Sequence, residues 1–211
     1  MTLIILGPQG SGKGTQATRL AEQFGLAKFS MGDAIRSVIA SRTPLGVRIK
    51  PIYEQGDLIN LADTKAVVDE KFKQLNLSKG VVIEGIPRSL EQIEPLLIIL
   101  KDNRLDQPWL VELKILDETA IARVGNRRIC SACQYPAKPD DTSCVRCGSK
   151  LVRRTDEDDK TLQNRLSLYH QETEPVIEYF KKLGRHIAID GEPAIDQVYE
   201  QILRSLEGRV S

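Results

Sequence analysis

The sequence predicts an α/β fold, a parallel sheet covered by helices on both faces. Three observations predict it: short β-rich apolar runs recur along the chain, helix-patterned stretches separate them, and the first run leads straight into a glycine-rich turn that opens a helix. The 211 residues suffice for one core with small lobes attached, and 41% hydrophobic content is ordinary for a globular chain in water.

Taken in order, Thr2 to Leu6 reads as the first strand. No basic segment precedes this run, and a glycine loop follows it where a signal peptide would carry its cleavage site. Lys13 to Phe24 is helix-patterned, whereas Ser30 to Ile59 holds helical patterns without an obvious core strand and reads as an insertion. Thr64 to Leu75 predicts a helix, Val81 to Glu84 a strand, and Leu90 to Leu100 another helix. The apolar end of that helix stops at Lys101, far short of the roughly 18 apolar residues of a membrane span. Leu110 to Leu116 is the third strand-like run, with Trp109 at its start as a packing residue, and Glu118 to Arg128 a helix. Ile129 to Asp159 lacks periodicity, carries all four cysteines and reads as a second insertion. Helical patterns at Lys160 to Tyr169, Pro175 to Leu183 and Ile195 to Leu206 enclose the last strand, His186 to Asp190.

Lys and Arg total 30 against 29 Asp and Glu, and a net charge of +1 speaks against a polyanionic partner such as nucleic acid. With neither leader nor membrane span in the pattern, the expectation is a soluble, cytoplasmic protein. The two histidines, His170 and His186, stand in no metal-like or triad-like spacing.

Gly7-x4-Gly12-Lys13 lies between a strand and a helix, the setting a phosphate-binding loop requires. Glycines permit positive φ and close backbone approach, so successive N–H groups from Gly10 through Ser11, Gly12, Lys13, Gly14 and Thr15 can converge on an anion. The helix dipole adds partial positive charge, and Lys13 a full one. The general pattern has Ser or Thr directly after the lysine; here Gly14 intervenes and Thr15 follows. The spacing of Gly10, Gly12 and Gly14 does not match the dinucleotide fingerprint, and a plain glycine-rich turn is the bland alternative.

Cys130-x2-Cys133 and Cys144-x2-Cys147 enclose ten residues, two knuckles with the spacing of a tetrahedral zinc site. Disulfides rarely persist in a reducing compartment, and free buried thiols need apolar mass this segment lacks. Four thiolates would fill the coordination shell, so the zinc would be structural, folding a small lid in place of a core.

Further motifs now accumulate. The loop Gly10-x-Gly12-Lys13-Gly14-Thr15-Gln16 resembles the opening of the adenylate kinases, a nucleoside monophosphate kinase family. Ser30-Met31-Gly32-Asp33-x-x-Arg36 is similar to that family's Ser-Thr-Gly-Asp-x-x-Arg, and Glu84-Gly85-Ile86-Pro87-Arg88-Ser89-x-x-Gln92 to its Asp-Gly-Phe-Pro-Arg-Thr-x-x-Gln. Arg123-x3-Arg127-Arg128, Arg154-Thr155-Asp156-Glu157 and Arg165-Leu166-x-x-Tyr169 continue the likeness in order, over essentially the whole chain.

The resemblance implies a P-loop kinase core with a parallel five-stranded sheet flanked by helices (residues 1–29, 60–122 and 160–211), a small helical NMP-binding lobe (30–59) and a zinc-binding lid (123–159). It implies transfer of the γ-phosphate of ATP to AMP, giving two ADP, reversibly and with Mg²⁺, in a monomer whose lobes close over the substrates. Lys13, Arg88, Arg127, Arg154 and Arg165 are its implied catalytic cations, and arginine suits that task because its charged planar fork grips phosphate oxygens. Arg123, Arg127 and the backbone near Pro193 join the loop in holding ATP. Met31, Arg36, Asp57, Leu58, Ile59, Gly85, Arg88, Gln92, Arg154 and Arg165 are implied to hold AMP, the Gln92 amide offering a donor and an acceptor to the base edge. Glu84 stands where the family has an Asp that organises magnesium through water.

Zinc-bearing lids occur in the family, matched here by Cys-x-x-Cys-Gly-x-x-Leu-x-x-Arg at Cys144 to Arg154, with a shorter run between knuckles. Met31 for Thr and Ile86 for Phe alter the base pocket, so a kinase for UMP, CMP or dTMP is an open alternative, as is a zinc-ribbon binding module with a vestigial P-loop.

Overall fold

A computed structural model describes residues 1–105, 107–133, 135–137, 140–153 and 158–209. Among these, the strands in chain order are β1 (Thr2–Leu6), β2 (Ala27–Ser30), β3 (Val81–Glu84), β4 (Trp109–Lys114), β5 (Ile129–Cys130), β6 (Leu151–Val152) and β7 (His186–Asp190). Five of them form a parallel sheet in the order β2-β3-β1-β4-β7, and β5 and β6 pair antiparallel by themselves. From β1 the chain builds β2 and β3 on one side and then crosses to β4 and β7 on the other. This reversal opens a crevice beyond the carboxyl end of β1, which is where the glycine loop lies.

Alternation along β1 divides the core. Leu3 and Ile5 face α1 (Lys13–Phe24), which buries Ala17 and Leu20. Ile4 and Leu6 face a larger cluster supplied by α4 (Leu61–Phe72), α5 (Ile93–Asp102) and α8 (Glu174–Lys182), including Val67, Leu96 and Phe180. α2 (Met31–Ala40) and α3 (Pro44–Glu54) continue this cluster into the segment expected as the first insertion, and α9 (Ile195–Leu206) covers the other face with Val198 and Ile202. α6 (Asp117–Gly125) and α7 (Asp159–Leu168) flank the cysteine segment and meet through Ala120, Val124, Leu162 and Leu166.

Three strands have the bounds their apolar runs predict. β2 was not expected: Ala27-Lys28-Phe29-Ser30 carries one large apolar side chain, and as an edge strand paired only to β3 it buries only Phe29 fully. β4 starts at Trp109 and stops at Lys114, two residues before the expected Leu116, because Leu116 caps α6: its carbonyl accepts from Ala120 N at 2.9 Å. α4 starts at Leu61, three residues early, since the Asn60 side chain accepts from Asp63 N at 2.9 Å and caps it.

α6 ends at Gly125, so Arg127 and Arg128, expected within the helix, lie beyond its end. The predicted helix over Leu90 to Leu100 opens with a 3₁₀ turn, Leu90–Gln92. Between α7 and α8 runs a π turn, Tyr169–Thr173. Pro175 has no N–H for the carbonyl four residues back, and the wider turn absorbs the mismatch. His170, given no role by spacing, ties this turn to Glu174 through Nδ1 (2.7 Å) and to Asp117 through Nε2 (3.1 Å).

Candidate active site at the carboxyl ends of the strands

The glycine loop is shaped by contacts that exclude side chains. Gly10 has φ +87°, and a Cβ there would lie 2.9 Å from the Ala120 carbonyl oxygen of α6. Gly12 caps α1 with φ 85°, its carbonyl accepting from Gln16 N at 3.0 Å. A Cβ on Gly14 would meet no protein atom within 4 Å, so packing does not explain the glycine that displaces the usual hydroxyl residue.

Lys13 follows as the first residue of α1. Its Nζ donates to the Pro8 carbonyl at 3.2 Å and stands 4.0 Å from Glu84 Oε1 at the end of β3. Burial pulls the Lys13 ammonium down to about 8; Glu84 opposes the drop, while the guanidinium groups of Arg88, Arg127 and Arg165 add to it. Arg88 is likewise held below its ordinary value, first by burial and then, against the pull of Glu84, by Arg165. Four cations from four parts of the chain thus gather here, with the Glu84 carboxylate beside Lys13 and Arg88. Such a surplus of positive charge away from water is costly unless an anion joins it.

Glu84 has a second partner: the Ser30 hydroxyl donates to its Oε2 at 2.6 Å. Ser30 pairs with Glu84 in register across β2 and β3, and its Oγ also accepts from Asp33 N, capping α2. Glu84 is thereby held by an uncharged donor as well as by the lysine. Neighbouring Gly85 accepts from Arg88 Nε at 2.9 Å, which turns that guanidinium back toward the strand ends.

Beside this cluster lies a cavity of about 420 Å³, open solvent included, lined by Met31, Tyr53, Asp57, Leu58, Ile59, Gly85, Arg88, Gln92 and Arg165. Of the residues expected to hold an acceptor nucleotide, eight line this one cavity. Arg36 reaches it through Tyr53, donating to the phenol oxygen at 2.6 Å and pairing on its other side with Asp33. Arg154 lies outside the described residues, as do Thr155, Asp156 and Glu157. Ile86 is buried and borders a second, apolar space of about 230 Å³ that shares Thr64 and Gln92 with the cavity. Gln92 differs from expectation in one respect: its Oε1 already accepts from Arg88 N at 2.8 Å, which turns the acceptor end of the amide inward.

Arg165 projects from α7 and donates to Gln9 Oε1 and to the Tyr53 carbonyl, each at 3.2 Å. Arg127 follows α6, close enough to depress Lys13. On the far side of the loop, Arg123 donates to the carbonyls of Gly191 (2.9 Å) and Glu192 (2.7 Å), the two residues before Pro193. Arg123 and the Pro193 segment are therefore one structural unit. Sequence reasoning gave no role to Tyr53, Ser30 or Gln9, whose partners here are the arginines and the carboxylate; Ser30 and Gln9 stand inside the motifs themselves, whereas nothing in its local pattern separates Tyr53 from an ordinary packing residue.

Among the described residues, the sulfur atoms of Cys130, Cys133, Cys144 and Cys147 all lie within 4.8 Å of one another. Pairs stand at 3.3 Å (Cys130 and Cys147), 3.5 Å (Cys133 and Cys147) and 3.6 Å (Cys133 and Cys144). Zinc–sulfur bonds of about 2.3 Å at tetrahedral angles put sulfurs roughly 3.8 Å apart, so the donor set fits that ion. Backbone N–H groups of Ala132 and Cys133 point at Cys130 Sγ (3.3 Å each), and that of Arg146 at Cys144 Sγ (3.4 Å), as a thiolate centre requires. Four protein sulfurs leave no open position for catalysis.

The family model described as adenylate kinase matches residues 5–185. The chain is 34% identical over 213 residues to an adenylate kinase of Archaeoglobus fulgidus, the comparison covering 98% of each chain. It is 33% identical over 208 residues to one of Methanosarcina barkeri, covering 96% of each, and 32% identical over 213 residues to one of Thermodesulfovibrio yellowstonii, covering 98% of this chain and 99% of that relative.

Proposed function

The chain belongs to the adenylate kinase family, and from that premise we propose that it moves the γ-phosphate of ATP to AMP, producing two ADP in a reversible reaction. The observation that carries the reading is the convergence of Lys13, Arg88, Arg127 and Arg165 on the strand ends, between the glycine loop and the cavity. An oxygen of the acceptor α-phosphate attacks the γ-phosphorus as the bond to the β-phosphate bridging oxygen breaks. The chain contributes alignment and charge, because this transfer needs little covalent help.

In this reading the N–H groups from Gly10 to Thr15 hold the donor's phosphates, and the open space over Gly14 admits them closely. Arg123 and the Pro193 backbone face the donor base. Arg36 and Arg88 hold the acceptor phosphate, while Lys13, Arg127, Arg154 and Arg165 neutralise the transferred group. Met31, Asp57, Leu58, Ile59, Gly85 and Gln92 surround the acceptor base and ribose, with the Gln92 amide nitrogen as the end turned to the base.

Glu84 would hold Mg²⁺ through water, and Ser30, by occupying Oε2, leaves Oε1 to that water and to Lys13. Bound with ATP, the ion supplies charge neutralisation across the phosphates. Zn²⁺ on the four cysteines is structural and shapes the lid.

We assign residues 1–29, 60–122 and 160–211 to the core, 30–59 to the acceptor lobe and 123–159 to the lid, both of which close to keep water from the γ-phosphate. The protein acts as a monomer in the cytoplasm; no described helix is long and apolar enough to cross a membrane. A coupled assay with ATP and, in turn, AMP, UMP, CMP and dTMP tests the acceptor. AMP is the expected best substrate, and a preference for a pyrimidine monophosphate would overturn the assignment.

A further inference from the structure

Tyr53 has no part in the roles set out above, yet it holds two of the arginines by three different groups. Its hydroxyl accepts from Arg36 Nη1 at 2.6 Å, its carbonyl oxygen accepts from Arg165 Nη2 at 3.2 Å, and its ring lies 5.1 Å beneath the Arg165 guanidinium. Arg36 meets Asp33 on its other side, and Arg165 meets Gln9 of the glycine loop. A continuous chain of contacts, Asp33, Arg36, Tyr53, Arg165, Gln9, therefore runs from α2 through the end of α3 and α7 to the phosphate loop.

The backbone carrying Tyr53 is fixed by α7. Gly56 has φ +83°, and a Cβ there would lie 2.9 Å from the Thr161 carbonyl oxygen. Thr161 Oγ1 donates to the Glu54 carbonyl at 3.3 Å, and Asn164 Nδ2 donates to the Gln55 carbonyl at 3.1 Å and to Asp57 Oδ1 at 2.7 Å. The last turn of α3 and the residues after it are thus pinned to the helix that bears Arg165. A guanidinium grips a phosphate well only when its plane is already oriented, and donors not used by the phosphate need fixed partners to orient it. The phenol supplies one such partner to Arg36, and its ring face and carbonyl supply two to Arg165.

We infer that Tyr53 is a positioning residue that orients Arg36 for the acceptor phosphate and Arg165 for the transferred group from one rigid point. The inference deepens the phosphotransferase reading and rests on it. It accounts for why a large aromatic with a polar tip stands where the acceptor lobe, α7 and the cavity meet.

Two substitutions separate the two halves of the role. Tyr53→Phe removes the hydroxyl alone; losing a hydrogen bond to a charged group, it should raise KM for AMP about tenfold while kcat stays within about twofold and KM for ATP is unchanged. Tyr53→Leu removes the ring as well and should also lower kcat. In an Arg36→Ala background, Tyr53→Phe should add no further rise in KM for AMP, because its effect travels through that arginine. An unchanged KM in Tyr53→Phe, additive penalties in the double variant, or a shared loss of affinity for both nucleotides with a lowered melting temperature overturns the positioning role of the hydroxyl. An unchanged kcat in Tyr53→Leu overturns that of the ring. If the parent chain does not phosphorylate AMP, the functional reading fails and takes this inference with it; transfer by the parent with an indifferent Tyr53→Phe sinks the inference alone.

Discussion

Replacing Lys13 by methionine should make the nucleotide-free protein more stable at neutral pH while ending phosphoryl transfer. The lysine side chain is only 14% exposed, its hydrogen bond goes to the Pro8 carbonyl, and Glu84 is 4.0 Å away, while three guanidinium groups depress it further. Burial first, then those guanidiniums, bring its pKa from 10.5 to about 8. The unfolded chain therefore holds this proton up to about pH 10.5 and the folded chain only to about pH 8. Below pH 8 both states are protonated and folding bears the full cost of the buried charge; between about 8 and 10.5 the folded state sheds the proton and the cost declines. A shift of this size corresponds to an upper figure of about 3 kcal/mol. Methionine fills the space of the lysine stem without the charge, so Lys13→Met should gain up to about that amount at pH 7, the advantage shrinking steadily toward pH 10. Urea unfolding at pH 7, 8, 9 and 10, with midpoint and slope both fitted, measures the difference. A Lys13→Met chain that is less stable at pH 7, or whose advantage does not change with pH, would refute the reasoning. Loss of transfer in the more stable variant would show the site held in an unfavourable state that the substrate's phosphates relieve.

Arg88→Ala should lower the transfer rate by about 10²- to 10³-fold with a melting temperature no lower than the parent's, since the lost group is a desolvated cation whose role is to meet charge in the transition state; near-normal turnover would reject that role. Elemental analysis of untagged protein should find about one zinc per chain, and Cys144→Ser, which removes a buried sulfur from the cluster, should lower the melting temperature by several degrees while weakening AMP binding far less; unchanged melting counts against a structural zinc.

Contiguous features of this chain could be read without coordinates. β1 and β3 have the bounds of their apolar runs because the central strands are buried along almost their whole length, and β7, at the sheet edge, shows as an alternation that buries Ile187 and Ile189. The glycine loop and the cysteine knuckles were legible for a related reason: each packs its chemistry into a few neighbouring residues. β2 escaped notice because an edge strand of four residues needs little apolar mass. The early start of α4 at Leu61, capped by Asn60, the displaced end of α6 and the π turn before Pro175 turn on local capping and hydrogen bonding that a period of 3.6 does not register. The likeness of scattered motifs to one family brought distant arginines under a single hypothesis, but it could not tell which side chains hold them.

What the sequence by itself determined is therefore the parallel α/β class, the glycine loop after the first strand and the four-sulfur cluster, all written in short windows where neighbours in the chain are neighbours in space. Only the tertiary structure decided that Glu84 is shared by Ser30 and Lys13, that Gln92 spends its acceptor on the Arg88 backbone, and that Tyr53 joins Arg36 to Arg165. These are matters of orientation and electrostatics between residues far apart in the chain. Their energies come from burial and from partners that exist only once the sheet has gathered its strand ends on one side of the molecule.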